Sequence, residues 1–175
     1  IGGTAGRTTL AGEGLQHQDG QSHLLAYPVP NLLAYDPAFA YELAVIIEDG
    51  IRRMYVEGDS VFYYLTVENQ PYAMPEMPDG AREGILKGLY RLRPSRATRR
   101  HRAQLLASGA ILREALDAQT LLERYDVAAD VWSVTSWAQL YRDGHACDRW
   151  NMLHPLEPPR QPYVTHCLGR EPGVV

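Results

Sequence analysis

The sequence predicts an α/β protein whose sheet is mostly parallel, because short apolar strands alternate with longer helical segments. The predicted strands cover residues 32–35, 61–67, 103–106 and 130–135, and the predicted helices cover 37–55 and 111–125. Strands that alternate with helices are joined by right-handed crossovers, which bring successive strands side by side and parallel. Both halves of the chain show this alternation.

The strongest strand signal lies at residues 61–67, which are β-branched and aromatic almost throughout. A continuous apolar run of this kind is typical of a strand covered on both faces. We therefore expect a parallel, central strand here.

The segment before it predicts a helix that starts after Asp36, the candidate N-cap, with Pro37 in the first turn. Apolar residues at spacings of three and four indicate the face that should lie on the sheet. These are Leu43, Ile46, Ile47, Ile51 and Met54.

Residues 94–102 contain Pro94 and a cluster of arginines, a composition typical of a linker. They divide the chain into predicted domains at 1–93 and 103–175. The segment 162–168 predicts a further strand close to the last residue, which would leave a sheet with few strands and an open edge. The first residue is not Met, so we expect a piece of a longer protein.

Composition narrows the function classes. The 175 residues are 45% hydrophobic and 22% charged with a net charge of -4, as in ordinary globular proteins. No general attraction to nucleic acid is expected from this charge, and no apolar stretch approaches the roughly 18 residues of a membrane span. Two cysteines fit a reducing compartment, so a cytoplasmic protein is expected.

The first 23 residues hold the best candidate site. Glu13, His17 and His23 lie there among glycines that permit tight turns and close approach to a ligand. A histidine near carboxylates suits proton transfer. Composition alone leaves a solvent-exposed polar loop as an open alternative.

Other kinds of site are less well supported. The histidines and cysteines lack the close ligand pairs of a structural zinc site, so no metal site is predicted. No Gly-X-Ser-X-Gly elbow, P-loop or complete dinucleotide fingerprint occurs.

Several segments resemble the single-chain, homodimeric bacterial pyruvate dehydrogenases, the thiamine-diphosphate-dependent decarboxylating components. The resemblance is carried by IGGTAGRTTLAGEGLQHQDG at 1–20, AYELAVI at 40–46, NQPYAMP at 69–75 and CDRWNMLHPLE at 147–157. It implies a carboxy-terminal fragment: the end of a pyrimidine-binding domain, followed by a truncated transketolase-like C-terminal α/β domain.

The resemblance also implies chemistry. His17 and Glu13 match catalytic positions, and His23 is close enough in sequence to support the cofactor site. The family uses thiamine diphosphate and Mg²⁺ to decarboxylate pyruvate oxidatively and to acetylate the lipoyl domain of an acyltransferase component, and it works as a homodimer. The motif that anchors the diphosphate and Mg²⁺ is missing from this sequence, so the fragment alone should be inactive. The alternative is an inert remnant that serves as a dimerisation or docking module.

Overall fold

The computed structural model describes residues 21–68 and 71–175. The helices are α1 (Ser22–Ala26), α2 (Ala40–Ile51), α3 (Ala81–Lys87), α4 (Ile111–Leu122), α5 (Trp137–Leu153) and α6 (Tyr163–Leu168). The strands are β1 (Leu32–Tyr35), β2 (Phe62–Leu65), β3 (Tyr90–Arg93), β4 (His101–Ala107) and β5 (Val127–Ser133). A π-helical turn, Arg52–Glu57, continues α2, and a 3₁₀ turn, Glu123–Tyr125, continues α4.

The strands form two small sheets. β1 and β2 are parallel, with Leu32 opposite Phe62 and Tyr35 opposite Leu65. The second sheet has the order β3-β5-β4, in which β4 and β5 are parallel and β3 is antiparallel to β5. The predicted α/β class with mostly parallel pairing is confirmed.

The prediction of a central, fully covered strand at 61–67 is wrong for the part of the chain that the structure describes. There β2 pairs with β1 alone, and Phe62 is 47% exposed. Apolar composition identified the strand but did not identify its neighbours.

The predicted strand at 162–168 is also wrong, because these residues form helix α6. Tyr163, Val164, Cys167 and Leu168 pack against the buried cluster around Leu89 and Trp132. This spacing of one, three and one residues fits one face of a helix. Packing has overridden the strand preference of a Tyr-Val-Thr segment.

Helix α2 begins at Ala40 rather than directly after Asp36, and its buried face differs from the predicted one. Ile47 and Ile51 are exposed, whereas Val45 and Ile46 are buried together with two acidic residues, Glu42 and Asp49. The buried positions 42, 45, 46 and 49 still follow helical spacing. The prediction from apolar spacing failed because two carboxylates belong to the face that is turned toward the interior.

Glu42 is completely buried, and its carboxylate accepts four hydrogen bonds. Oε2 accepts from the backbone N–H groups of Ala38 at 2.6 Å and Phe39 at 3.0 Å, just before the helix. Oε1 accepts from the hydroxyls of Tyr90 and Ser133, both at 2.6 Å. Glu42 therefore joins α2 to β3 and β5.

The tyrosines in this network are held neutral. Burial, followed by the nearby charge of Glu42, raises the pKa of Tyr90 far above its usual range. Burial also raises the pKa of Tyr41 to about 12, and its hydroxyl lies 2.6 Å from that of Tyr90. Because Tyr90 donates to Glu42, Tyr41 can donate to Tyr90, and both act as hydrogen-bond donors.

The division at residues 94–102 stays a prediction. In the structure, β3 and β4 lie on either side of this segment, and both pair with β5. Within the described residues, no helix is long and apolar enough to cross a membrane.

Replacing Glu42 with Gln should lower the free energy of unfolding by about 3 kcal/mol, because an amide nitrogen would face buried donors and the charge-assisted bonds would be lost. Urea denaturation of the chain measures this value. Glu48→Gln is the matched control on the same helix, since Glu48 forms an exposed ion pair with Arg82 and should change stability by less than about 0.5 kcal/mol. Equal effects of the two substitutions would contradict the role given to Glu42.

Candidate active site

The two catalytic residues expected from the sequence, Glu13 and His17, lie outside the described residues. His23, the third predicted site residue, is placed by helix α1 and is half-buried. Its Nε2 lies 2.9 Å from Oγ1 of Thr66, and its ring meets Tyr64 edge-on with centroids 5.4 Å apart. His23 thus packs against residues at the end of β2.

Thr66 and Asp36 directly follow the two strands of the first sheet. The hydroxyl of Thr66 donates to Oδ1 of Asp36 at 2.6 Å, and the backbone N–H of Thr66 donates to the carbonyl of Tyr35 at 3.1 Å. Ligands of open α/β sheets bind beyond the carboxyl ends of the strands. Asp36, Thr66 and His23 therefore lie where such a fold places its site.

Residues that follow two strands of the second sheet also lie at Asp36. The backbone N–H of Asp36 donates to the carbonyl of Thr135, after β5, at 2.8 Å, and Gly109, after β4, donates to the carbonyl of Asp36 at 3.1 Å. Residues that follow β1, β2, β4 and β5 thus meet around Asp36. We call this meeting of residues 36, 66, 109 and 135 the carboxyl edge.

Gly109 allows the closest of these contacts. Its φ is +48°, and a Cβ built on it would lie 2.6 Å from Oδ1 of Asp36. Any larger residue would be strained and would push the Asp36 carboxylate away. The carboxyl edge therefore needs glycine at this position.

A second cluster borders the carboxyl edge. Glu68 forms an ion pair with Arg113 at 3.3 Å, and the guanidinium of Arg113 lies 4.2 Å from the ring centroid of Tyr72. Burial, followed by the charge of Glu68, raises the pKa of Tyr72 to about 12. Together with Phe39 and Leu43, Glu68 and Tyr72 line a small and mostly apolar pocket.

The described residues offer no metal-binding cluster, since no three His, Cys, Asp or Glu side chains among them converge. Burial raises the thiol pKa of both Cys147 and Cys167, which disfavours the thiolate needed for metal binding or nucleophilic attack. This part of the chain therefore does not fit a Mg²⁺ site.

Solved structures with similar folds define the fold class of this chain. A transketolase mutant from Pichia stipitis matches with a TM-score of 0.58 at 20% identity, covering 81% of this chain and 19% of the transketolase chain. A transketolase complex with fructose 6-phosphate from the same organism matches with a TM-score of 0.56 at 22% identity, covering 72% and 17%. The fold is therefore transketolase-like.

Sequence comparison then identifies the family. The model of the pyruvate dehydrogenase E1 component middle domain matches residues 1–75, and that of the transketolase-like C-terminal domain matches residues 88–175. The chain belongs to the pyruvate dehydrogenase E1 component family. It covers about one fifth of the length of its curated relatives.

Individual relatives are similar along the whole chain. The pyruvate dehydrogenase E1 component of Pseudomonas aeruginosa is 56% identical over 176 residues, covering 100% of this chain and 20% of that protein. The corresponding proteins of Escherichia coli and Mycolicibacterium smegmatis are each 53% identical, covering 99% and 100% of this chain and 20% and 19% of theirs.

Asp36, Thr66 and Gly109 were not among the site residues predicted from the sequence. The signal that could have found them is positional: Asp36 and Gly109 closely follow predicted strands, and Thr66 lies near the end of the predicted strand 61–67. Since carboxyl ends of parallel strands share one edge, polar residues at those points are site candidates.

Gly109→Ala should lower the free energy of unfolding by about 2 kcal/mol, because alanine is strained at positive φ and its Cβ would meet Asp36. Thermal or urea denaturation measures the loss. Gly144→Ala is the matched control: Gly144 lies within α5, a Cβ there meets nothing within 4 Å, and the change should add up to about 1 kcal/mol of stability. A stabilising Gly109→Ala would contradict the close contact.

Proposed function

We propose that this chain is part of a thiamine-diphosphate-dependent pyruvate dehydrogenase E1 component, which oxidatively decarboxylates pyruvate and reductively acetylates the lipoyl group of an acyltransferase component. The observation that carries the proposal is an identity of 56% to such a component along the whole chain. The carboxyl edge supports it, because Asp36, Thr66 and His23 lie where α/β enzymes of this architecture bind their ligands.

In this proposal His17 is the residue that moves protons at the bound, pyruvate-derived ligand. Imidazole changes its charge near neutrality, so it can both accept and return a proton during turnover. Glu13 orders the segment that carries His17 and supplies a hydrogen-bond acceptor. His23 supports the cofactor site from α1, where its ring packs against Tyr64 and Thr66.

The proposed cofactors are thiamine diphosphate and Mg²⁺, which supply the carbanion chemistry that amino acid side chains lack. The described residues contain no metal-binding cluster. Because the family motif that anchors the metal and the diphosphate is missing from this sequence, residues outside the chain would hold them. The proposed partners are a second subunit of a homodimer and the lipoyl domain of the acyltransferase component, in the cytoplasm.

The isolated chain should give no measurable heat when thiamine diphosphate and Mg²⁺ are added, because the motif that anchors the diphosphate and Mg²⁺ in the family is missing from its sequence. Isothermal titration calorimetry measures this, with the full-length protein as the positive control. Binding to the isolated chain at micromolar concentrations would contradict the prediction.

Introduced into the full-length protein, His17→Ala should lower kcat at least a hundredfold, the usual contribution of a general acid or base, with little effect on thiamine diphosphate affinity. Reductive acetylation of a lipoyl domain measures kcat, and calorimetry measures the affinity. His166→Ala is the matched control, because His166 is exposed on α6 and should leave both values unchanged.

An unchanged acetylation rate in His17→Ala would contradict the catalytic role of His17. A full-length wild-type protein that binds the cofactor yet does not act on pyruvate would contradict the proposed function itself. A parental gene that encodes only this chain would instead favour an inert dimerisation or docking module.

A further inference from the structure

A small cavity, which we call the edge pocket, adjoins the carboxyl edge. Most of its wall is formed by residues that follow directly after Asp36 or Thr66, at the ends of β1 and β2. Its volume is about 130 Å³. Because ligands of open α/β sheets bind beyond the carboxyl ends of the strands, the edge pocket lies where this fold binds a ligand. Its described lining consists of residues 37–40, 43, 67, 68, 72 and 74.

The wall of the edge pocket is mainly apolar and aromatic. The ring centroids of Phe39 and Tyr72 lie 6.4 Å apart, and Phe39 is buried. The hydroxyl of Tyr72 donates to the carbonyl of Ala38, so the polar end of this ring is bonded within the wall. Leu43 and Met74 add further apolar surface. Burial of an unpaired polar group here would be costly, and the edge pocket therefore suits an apolar group.

The charge in this wall disfavours an anion. Among the described lining residues Glu68 has the only carboxylate, and no Lys, Arg or His occurs among them. The Glu68 side chain is 8% exposed and pairs with Arg113 at 3.3 Å. Like charges placed side by side repel, so the carboxylate of a 2-oxo acid is poorly matched to this pocket. A neutral group is the better match.

The volume of the edge pocket fits one small ring. An apolar protein cavity of roughly 150 Å³ holds a benzene molecule. Three rings take part in the proposed reaction. The aminopyrimidine of thiamine diphosphate needs hydrogen-bond partners for its nitrogens, and the thiazolium carries a charge. The dithiolane ring of a lipoyl group is neutral, apolar and five-membered, and so matches the pocket in size, charge and polarity.

We propose that the edge pocket receives the dithiolane ring of the lipoyl group, with Phe39, Tyr72 and Met74 among its contacts. Divalent sulfur packs favourably against aromatic rings, and the dithiolane has two sulfur atoms. Val67 and Met74 are about half exposed, so a ring on a flexible arm reaches the pocket from solvent. The inference rests on the proposed function for the presence of a lipoyl group. It concerns binding of the ring and assigns no step of the acetyl transfer.

Ala40→Leu in the full-length protein tests the pocket. Ala40 lines the pocket, is exposed and is the first residue of α2, where leucine is a good helix former. The larger side chain should fill part of the cavity and lower kcat/KM for free lipoamide on the order of tenfold. Pyruvate turnover with a soluble redox dye, which bypasses the lipoyl group, should fall much less. The ratio of the two activities is the measured quantity.

Ala44→Leu is the matched control. Ala44 is exposed one turn further along α2 and is not among the described lining residues, so this variant should keep the wild-type ratio. Equal losses of both activities in Ala40→Leu would assign the pocket to the 2-oxo acid or the cofactor and overturn the proposal. A wild-type ratio in Ala40→Leu would overturn it as well.

Met74→Ala replaces Ala40→Leu as the test if circular dichroism shows that Ala40→Leu does not fold. Met74 is 48% exposed, so its truncation changes the pocket with little effect on the core. It should raise KM for lipoamide several-fold, Met74→Leu should restore most of the loss, and an unchanged KM would overturn the proposal. A wild-type protein that does not acetylate lipoamide would sink the proposed function, whereas an active wild type with insensitive variants would sink the pocket assignment alone.

Discussion

The position of helix α2 against the second sheet depends on one buried carboxylate, that of Glu42. A buried charge costs several kcal/mol unless donors surround it, and the donors here come from two parts of the fold: the turn that begins α2, and the hydroxyls of Tyr90 and Ser133 on β3 and β5. If α2 moved relative to the second sheet, a charge would be left inside the protein without partners. The position of α2 on the second sheet is therefore specified by polar contacts as well as by apolar packing.

The carboxyl edge is held by a separate set of contacts between the two sheets. Asp36 belongs to the first sheet, yet its backbone is bonded to residues that follow β4 and β5. A site assembled from the ends of four strands needs each strand in its correct register. A shift of one residue would replace the Asp36 side chain with a neighbour that points to the other face of the sheet. The side chains that reach His23 are thus placed by contacts formed far from the histidine in sequence.

The sequence predicted the elements better than their surroundings. β-branched and apolar runs identified β1, β2, β4 and β5 because those patterns reflect local preference and burial. The buried face of α2 was mispredicted because Glu42 faces inward, which hydropathy cannot anticipate. Helix α6 was mispredicted because its contacts with Leu89 and Trp132 are long-range. Glu13 and His17 came from family resemblance, and Asp36 and Thr66, 30 positions apart, became neighbours only once β1 and β2 were paired.

Strand β3 affects how this protein can be divided. It precedes residue 94, yet it pairs with β5 and covers one side of that strand. A fragment that starts at residue 94 would therefore lack β3 and expose backbone N–H and C=O groups on one side of β5, and an open strand edge is a template for association with other chains. A fragment that starts before α3 would keep that side of β5 covered. A fragment that is to keep the second sheet intact therefore has to begin upstream of β3, and so upstream of the arginine-rich segment.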